Sequence, residues 1–341
     1  MLIVLNDGAD LKRVQKKLTV MGLWTQPLAG VKGQHALTVG AHSPSVSIDA
    51  IRAVDGVADV LMPPSAHPKV DACAGTSVTV AGVSFGVDSA PVLIAGPCSV
   101  ESEETAHRAA EIAAARGARL MRGGAFKPRT SPYSYTGHGR EALRWMRDAA
   151  DAHGLGVVTE VMSEAEAEAV GELADVLQIG SRNMQNFALL KRVGRLGMPV
   201  LLKRGMSART EEWLLAGEHL LDAGASGVIY CERGVHGFDA ATRYMLDLGA
   251  VALLSHVHRL PVIVDPSHGT GRRDLIRPMS RAARASGACG LIVEVHPDVE
   301  QARSDGPQAL TPEELTHVAA DLGVLPTSRT SEAHWPQEAH R

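Results

Sequence analysis

From Val92 onward the chain alternates between short apolar runs and longer stretches with a helical apolar period, and nearly every short run ends in polar or charged residues. VLIAG runs into Pro97, Cys98 and Ser99, RLM into Arg122, Gly123 and Gly124, and VVT into Glu160. VLQIG ends at Ser181, Arg182 and Asn183, and PVLL at Lys203 and Arg204. GVIY ends at Cys231, Glu232 and Arg233, PVIVD at Pro266, Ser267 and His268, and GLIV at Glu294 and His296. Eight runs of strand length, separated mostly by helical stretches, predict eight βα units with polar residues gathered at the strand C-termini. That is the α/β layout of a (β/α)₈ TIM barrel with its chemistry on the C-terminal rim.

The stretches between runs carry helix stop signals. EETAHRAAEIAAARG ends at Gly117, EALRWMRDAADAHG at Gly154, RTEEWLLAGEHLLDAG at Gly224 and RRDLIRPMSRAARASG at Gly287. Glycine is the usual residue where a helix closes through a left-handed conformation. ATRYMLDLGAVALLSHVHRL, residues 241–260, is largely apolar and predicts a long helix buried against the barrel.

Residues 1–70 follow a different rhythm. LIVL predicts a strand, and LKRVQKKLTVMG a helix with Leu11, Val14, Leu18 and Met21 on one stripe. HALTVG, VSIDAIRAV and VADVLMP predict strand, helix and strand. A small ferredoxin-like β-α-β-β-α-β domain fits best, with one strand weakly marked. Pro63, Pro64 and Pro68 predict a stiff linker. TSVTVAGVSF alternates around Ala81 and Gly82 and predicts a hairpin capping the bottom of the barrel. The expected division is a ferredoxin-like regulatory domain over 1–70, linker and capping hairpin over 71–91, the barrel over 92–324 and a polar tail over 325–341.

Composition narrows the class. A net charge of −4 gives no overall attraction to nucleic acid or membrane, so any anion site is local. Four cysteines, at 73, 98, 231 and 289, do not make a disulfide framework and favour a reduced, cytoplasmic protein. No apolar stretch approaches the roughly 18 residues of a membrane span, and the N-terminus lacks the pattern of a signal peptide.

Two sets of rim residues carry chemistry. Cys98, His268, Glu294 and Asp305 offer a thiolate, an imidazole and two carboxylates, a donor set suited to Mn²⁺, Fe²⁺, Co²⁺, Cu²⁺ or Zn²⁺ rather than Ca²⁺. Such a metal can polarise a carbonyl. Taken singly, each residue is more readily a structural one; as a set on one rim they favour a metal. Arg122, Lys127, Arg129, Arg182, Lys203, Arg204 and Arg233 lie at or just beyond strand ends. Converging cations recognise phosphate and carboxylate, and their number suggests more than one anionic group. The turn Gly269–Thr270–Gly271 leads toward a helix start at Arg272, a weaker anion signal. No GxGxxG or P-loop is present to support nucleotide binding.

These motifs resemble a known family. AGPCSVES, RGGAFKPRTSPYSY, QIGSRNMQNF, LLKRG, CERG, DPSHGTGRRD and EVHPD with SDG are similar to 3-deoxy-D-arabino-heptulosonate 7-phosphate (DAHP) synthase, type I-beta branch. The resemblance covers the barrel, and the N-terminal unit resembles that branch's regulatory domain. It implies a transferase condensing phosphoenolpyruvate with erythrose 4-phosphate in the first step of the shikimate pathway. By motif, Cys98, His268, Glu294 and Asp305 would hold a divalent metal such as Mn²⁺, Fe²⁺, Co²⁺ or Zn²⁺. Arg122, Lys127 and Lys203 would surround the phosphoenolpyruvate carboxylate, Arg182 and Arg233 its phosphate, and Arg129 and Thr130 the aldose phosphate. Lys127 or His268 would donate the proton. An aromatic amino acid effector, tyrosine or phenylalanine, and a homotetramer are further family expectations.

One segment departs from the pattern. After CERG the family commonly continues Ile-Arg-Thr-Phe-Glu, whereas Val235, His236, Gly237, Phe238 and Asp239 stand here. The rival enzyme, 3-deoxy-D-manno-octulosonate 8-phosphate synthase, uses arabinose 5-phosphate and has an Asn-Arg-Ser-type segment where this chain has KPRTS. A barrel without catalysis, serving as a small-molecule sensor, would not need all four metal donors. Cys98, as a rim thiolate, is expected to be oxidisable, with Cys231 as a candidate disulfide partner.

Overall fold

The computed structural model describes residues 1–29, 35–126, 133 and 136–325. The expected polar tail lies outside the described residues beyond 325. The chain divides into two compact units, Met1–Ala66 and His67–Arg341.

The first unit runs β1 (Leu2–Leu5), α1 (Leu11–Val20), β2 (Thr25–Ala29), β3 (His35–Val39), α2 (Ile48–Arg52) and β4 (Val57–Leu61). Its antiparallel sheet has the order β2-β3-β1-β4, the ferredoxin-like arrangement. The weakly marked strand is β2, whose TQPLA contains Pro27 opposite Leu37. Proline cannot donate to a ladder, and β2 tolerates it because it lies at the sheet edge. Asp10 caps α1 by accepting from the Lys12 and Arg13 amides. Val14 and Leu18 of α1 and Ile51 of α2 then pack on Ile3, Leu5, Leu37 and Val60 of the sheet.

The second unit opens with α3 (Pro68–Ala72), which packs on the barrel helix α8 (Thr210–Ala223). The amides of Lys69 and Val70 at the α3 start donate to the Glu218 carboxylate at 3.0 and 2.9 Å. A boundary at 70 would cut this helix, whereas the compact division falls before it. The hairpin β5 (Val78–Val80) and β6 (Val83–Phe85) turns through Ala81 and Gly82, both at positive φ.

Eight parallel strands then close a barrel: β7 (Val92–Gly96), β8 (Leu120–Arg122), β9 (Gly156–Glu160), β10 (Val176–Ile179), β11 (Pro199–Lys203), β12 (Gly227–Glu232), β13 (Val262–Val264) and β14 (Gly290–Glu294). Around them run α4 (Glu103–Ala115), α5 (Arg140–Ala152), α6 (Ala167–Gly171), α7 (Phe187–Gly194), α8 (Thr210–Ala223), α9 (Leu248–Ala252), α10 (Pro266–Thr270), α11 (Arg273–Ala285) and α12 (Pro312–Leu322). Gly117, Gly154, Gly224 and Gly287 all take positive φ where their helices stop, as the sequence predicts. Val80, Val83 and Phe85 of the hairpin join Val92, Leu120, Ile229 and Ile292 in the barrel interior, so the hairpin plugs the N-terminal end.

Half of the predicted helix over 241–260 is absent. Only α9 and a π-helical turn at Leu253–Val257 form there, preceded by an irregular rim loop. The amides of Arg243 and Tyr244 donate to the carbonyls of Thr270 and Gly269, both at 2.9 Å, so these donors are taken outside any helix. Asp247 starts α9 by accepting from the Ala250 amide. Among the described residues no helix is long and apolar enough to cross a membrane.

Candidate active site

Alternate residues of a strand face the same side, so the barrel interior continues upward in steps of two. Leu120, Val158, Val176, Leu201, Ile263 and Ile292 belong to the interior apolar cluster. Two residues further along the same strands stand Arg122, Glu160, Gln178, Lys203, Asp265 and Glu294. One step of roughly 7 Å therefore changes the interior from dry to ionic. A cavity of about 110 Å³ opens there, lined by Arg122, Arg182, Lys203, Arg233, Arg243 and Tyr244, with Glu160, Gln178, His268 and Asp305 also on its wall.

On one side of this cavity, Cys98, His268, Glu294 and Asp305 bring one ligand atom each to within 4.8 Å of one another. Cys98 Sγ lies 3.2 Å from Asp305 Oδ2, and His268 Nε2 lies 3.2 Å from Glu294 Oε1. Asp305 adopts a left-handed φ of 53°, which turns its carboxylate into the group just before Gly306. One sulfur, one nitrogen and two oxygens at this spacing are a donor set that could hold a transition-metal ion.

A supporting layer fixes these donors. His268 Nδ1 meets Asp265 Oδ2 at 2.7 Å, and Lys203 Nζ donates to the same carboxylate at 2.5 Å. Burial would raise the Asp265 carboxyl, but His268 and Lys203 outweigh this and hold it well below the usual carboxylate range. Glu294 accepts from Arg122 Nη1 at 3.0 Å and from Gln308 Nε2 at 2.6 Å. Burial opposes the charge on Arg122, yet Glu294 and Cys98 together keep it firmly protonated. Hydrogen-bonded support of this kind sets imidazole orientation and ligand basicity at metal sites.

The predicted cations divide. Arg122, Arg182, Lys203 and Arg233 line the cavity. Arg204 does not: its guanidinium donates to Glu232 at 3.0 Å and Asp247 at 2.9 Å beneath the rim, a structural role. Lys127, Arg129 and Thr130 lie outside the described residues. The expectation of an oxidisable rim thiolate at Cys98, with Cys231 as disulfide partner, meets a buried side chain. Cys98 is only 3% exposed, set against Ser304 and Asp305, while Cys231 packs with the barrel interior, and no disulfide joins any of the four cysteines.

Sequence reading assigns no site role to Glu160, Gln178, Arg243, Tyr244, Asp265 or Gln308. The first two and Asp265 were discoverable, since each stands two positions after an interior apolar residue. Arg243 and Tyr244 were concealed in the apolar stretch read as a helix.

Comparison with known proteins gives the family. Residues 69–325 match the DAHP synthetase I family. The chain is 40% identical over 336 residues to a phospho-2-dehydro-3-deoxyheptonate aldolase of Thermotoga maritima, covering 95% of this chain and 99% of that one. A 2-dehydro-3-deoxyphosphooctonate aldolase of Alkalilimnicola ehrlichii is 32% identical over 72% of this chain and 94% of its own. The crystal structure of a Thermotoga maritima DAHP synthase superposes with a TM-score of 0.73 at 39% identity, covering 94% of this chain and 96% of that one. A truncated form of the Thermotoga enzyme superposes with a TM-score of 0.68 at 43% identity, covering 73% of this chain and 91% of that one. The family match spans the whole barrel and includes all four clustered donors, and with the near full-length likeness to the Thermotoga protein it follows that this chain belongs to the DAHP synthetase I family.

Proposed function

We propose that the chain condenses phosphoenolpyruvate with erythrose 4-phosphate and water to give DAHP and inorganic phosphate, the first step of aromatic amino acid biosynthesis through the shikimate pathway. The observation that carries this reading is the placement of a mixed S/N/O donor cluster and five described cations around one rim cavity. In this reading Arg182 and Arg233 bind the phosphate of phosphoenolpyruvate, and Arg122 and Lys203, with Lys127, bind its carboxylate. Arg129 and Thr130 hold the aldose phosphate. Cys98, His268, Glu294 and Asp305 hold Mn²⁺, Fe²⁺, Co²⁺ or Zn²⁺, which supplies Lewis-acid polarisation of the aldehyde.

The chain's own residues do the rest. The cations fix two anionic substrates in reacting geometry and stabilise developing charge. C3 of phosphoenolpyruvate forms the new bond to the aldehyde carbon, water adds at C2, and the C–O bond to phosphate breaks. The nascent alkoxide takes a proton from Lys127 Nζ or from His268. Both His268 nitrogens already face carboxylates, Asp265 on one side and Glu294 on the other, which favours Lys127.

The test is phosphoenolpyruvate consumption by metal-loaded protein with erythrose 4-phosphate, arabinose 5-phosphate or no aldose, each with and without chelator. Consumption that needs erythrose 4-phosphate and stops with chelator supports the reading. Preference for arabinose 5-phosphate would give the octulosonate reaction instead, and silence with every aldose would leave a sensor.

The N-terminal unit is proposed to bind tyrosine or phenylalanine and to inhibit, in a cytoplasmic homotetramer. Because α3 packs on α8, a barrel-only protein should begin at His67, ahead of α3. It should be active and insensitive to both amino acids; inhibition as strong as in the full chain would defeat this assignment.

A further inference from the structure

Resting on the assignment of Arg233 to the phosphate of phosphoenolpyruvate, we infer that Tyr244 is a positioning residue that holds Arg233 ready for that phosphate without occupying its donors. The guanidinium carbon of Arg233 lies 4.2 Å from the centroid of the Tyr244 ring. Arg233 is 7% exposed, and its Nη1 is buried without a hydrogen-bond partner among the described residues.

The other buried arginines at and beneath the rim are held differently. Arg122 is paired with Glu294 and Arg204 with Glu232 and Asp247. A carboxylate partner spends guanidinium donors and offsets the charge. An aromatic face attracts the cation from above and leaves the in-plane N–H groups free. That is the arrangement a phosphate-binding arginine needs before its ligand arrives.

The segment carrying Tyr244 is seated with care. Val235 and Met245 exchange backbone hydrogen bonds of 3.0 and 2.9 Å, which closes the rim loop on itself. The Arg243 and Tyr244 amides dock on the carbonyls of α10, the helix that carries His268. Three glycines make room for it. A Cβ on Gly234 would lie 2.5 Å from Tyr244 Cβ, one on Gly269 2.5 Å from Leu246 Cδ2, and one on Gly271 2.7 Å from Arg243 Cβ. Gly234, at φ +92°, also donates to Glu232 at 2.6 Å, which anchors the backbone next to Arg233. The His236 ring packs 5.3 Å from Tyr244, so the segment that departs from the family pattern helps to place the stacking ring.

The experiment compares wild type, Tyr244→Leu and Tyr244→Phe as metal-loaded full-length protein, with melting curves as a fold control. Tyr244→Leu should raise the KM for phosphoenolpyruvate about five- to thirtyfold, or about 1–2 kcal/mol at 1.4 kcal/mol per tenfold. Its kcat and its KM for erythrose 4-phosphate should move far less, and Tyr244→Phe should restore the phosphoenolpyruvate KM. An unchanged KM in the leucine variant, or a phenylalanine variant as impaired as leucine, overturns the inference. If Tyr244→Leu does not fold, Tyr244→Met serves in its place. Calorimetric titration of the same proteins with phosphoenolpyruvate separates the two claims. Binding without turnover by the wild type would sink the proposed reaction while still deciding Tyr244 by the ratio of Kd values. No binding by the wild type would overturn both.

Discussion

The two ends of the barrel are made by the same eight strands and follow opposite rules. At the N-terminal end, Phe85 and Val83 of the hairpin fill the interior against Val92, Leu120 and Ile292. Nothing there needs a specific partner beyond shape. At the C-terminal end the same interior positions carry Arg122, Lys203, Asp265 and Glu294, each at most 5% exposed. Unpaired, any of these would be costly to bury. They are tolerated because they satisfy one another, Arg122 with Glu294 and Lys203 with Asp265. The contrast teaches a division of labour within single strands. On β11, Leu201 serves the core and Lys203 serves the site.

The division can be broken from either end. Lys127→Met should cause the largest loss, lowering kcat by roughly 10²–10⁴ as expected for a proton-transferring residue, with metal content unchanged by elemental analysis. Near-normal turnover would remove Lys127 from the mechanism. Phe85→Ala should act at the other end and cost about 3–5 kcal/mol of stability in chemical denaturation. The kcat of the protein that remains folded should stay within about twofold, since Phe85 lies in the apolar plug. A parallel fall in kcat would mean that the two ends are not separable. Asp265→Asn sharpens the boundary between them. It weakens the support of His268 and Lys203 and should lower metal affinity roughly tenfold to a hundredfold. Competition with a chromophoric chelator measures this, and unchanged affinity would exclude Asp265 as the orienting group.

How much of this was legible in the sequence follows the same contrast. The eight runs and their polar ends announce the barrel, because a buried strand and its rim residue are neighbours in sequence. Cys98, His268 and Glu294 were readable for the same reason, whereas Asp305 lies in the loop beyond β14, and Cys98 is far more buried than a rim position suggests. Asp265 was overlooked because it sits inside DPSH, where His268 draws attention, and its role depends on Lys203 from another strand. The loop bearing Tyr244 was misread because apolar composition does not distinguish a buried helix from a segment seated among glycines of other elements. Edge strand β2 was faint because Pro27 breaks its pattern, and only its place at the edge makes it admissible.

In the proposed function the rim cluster is one metal site with Cys98 as its thiolate ligand. Titration of metal-free protein with Co²⁺, followed in the near ultraviolet, tests it without reliance on turnover. A thiolate-to-cobalt charge-transfer band should grow in, saturate at about one equivalent and be missing in Cys98→Ala. No such band, or one that survives in Cys98→Ala, would contradict it.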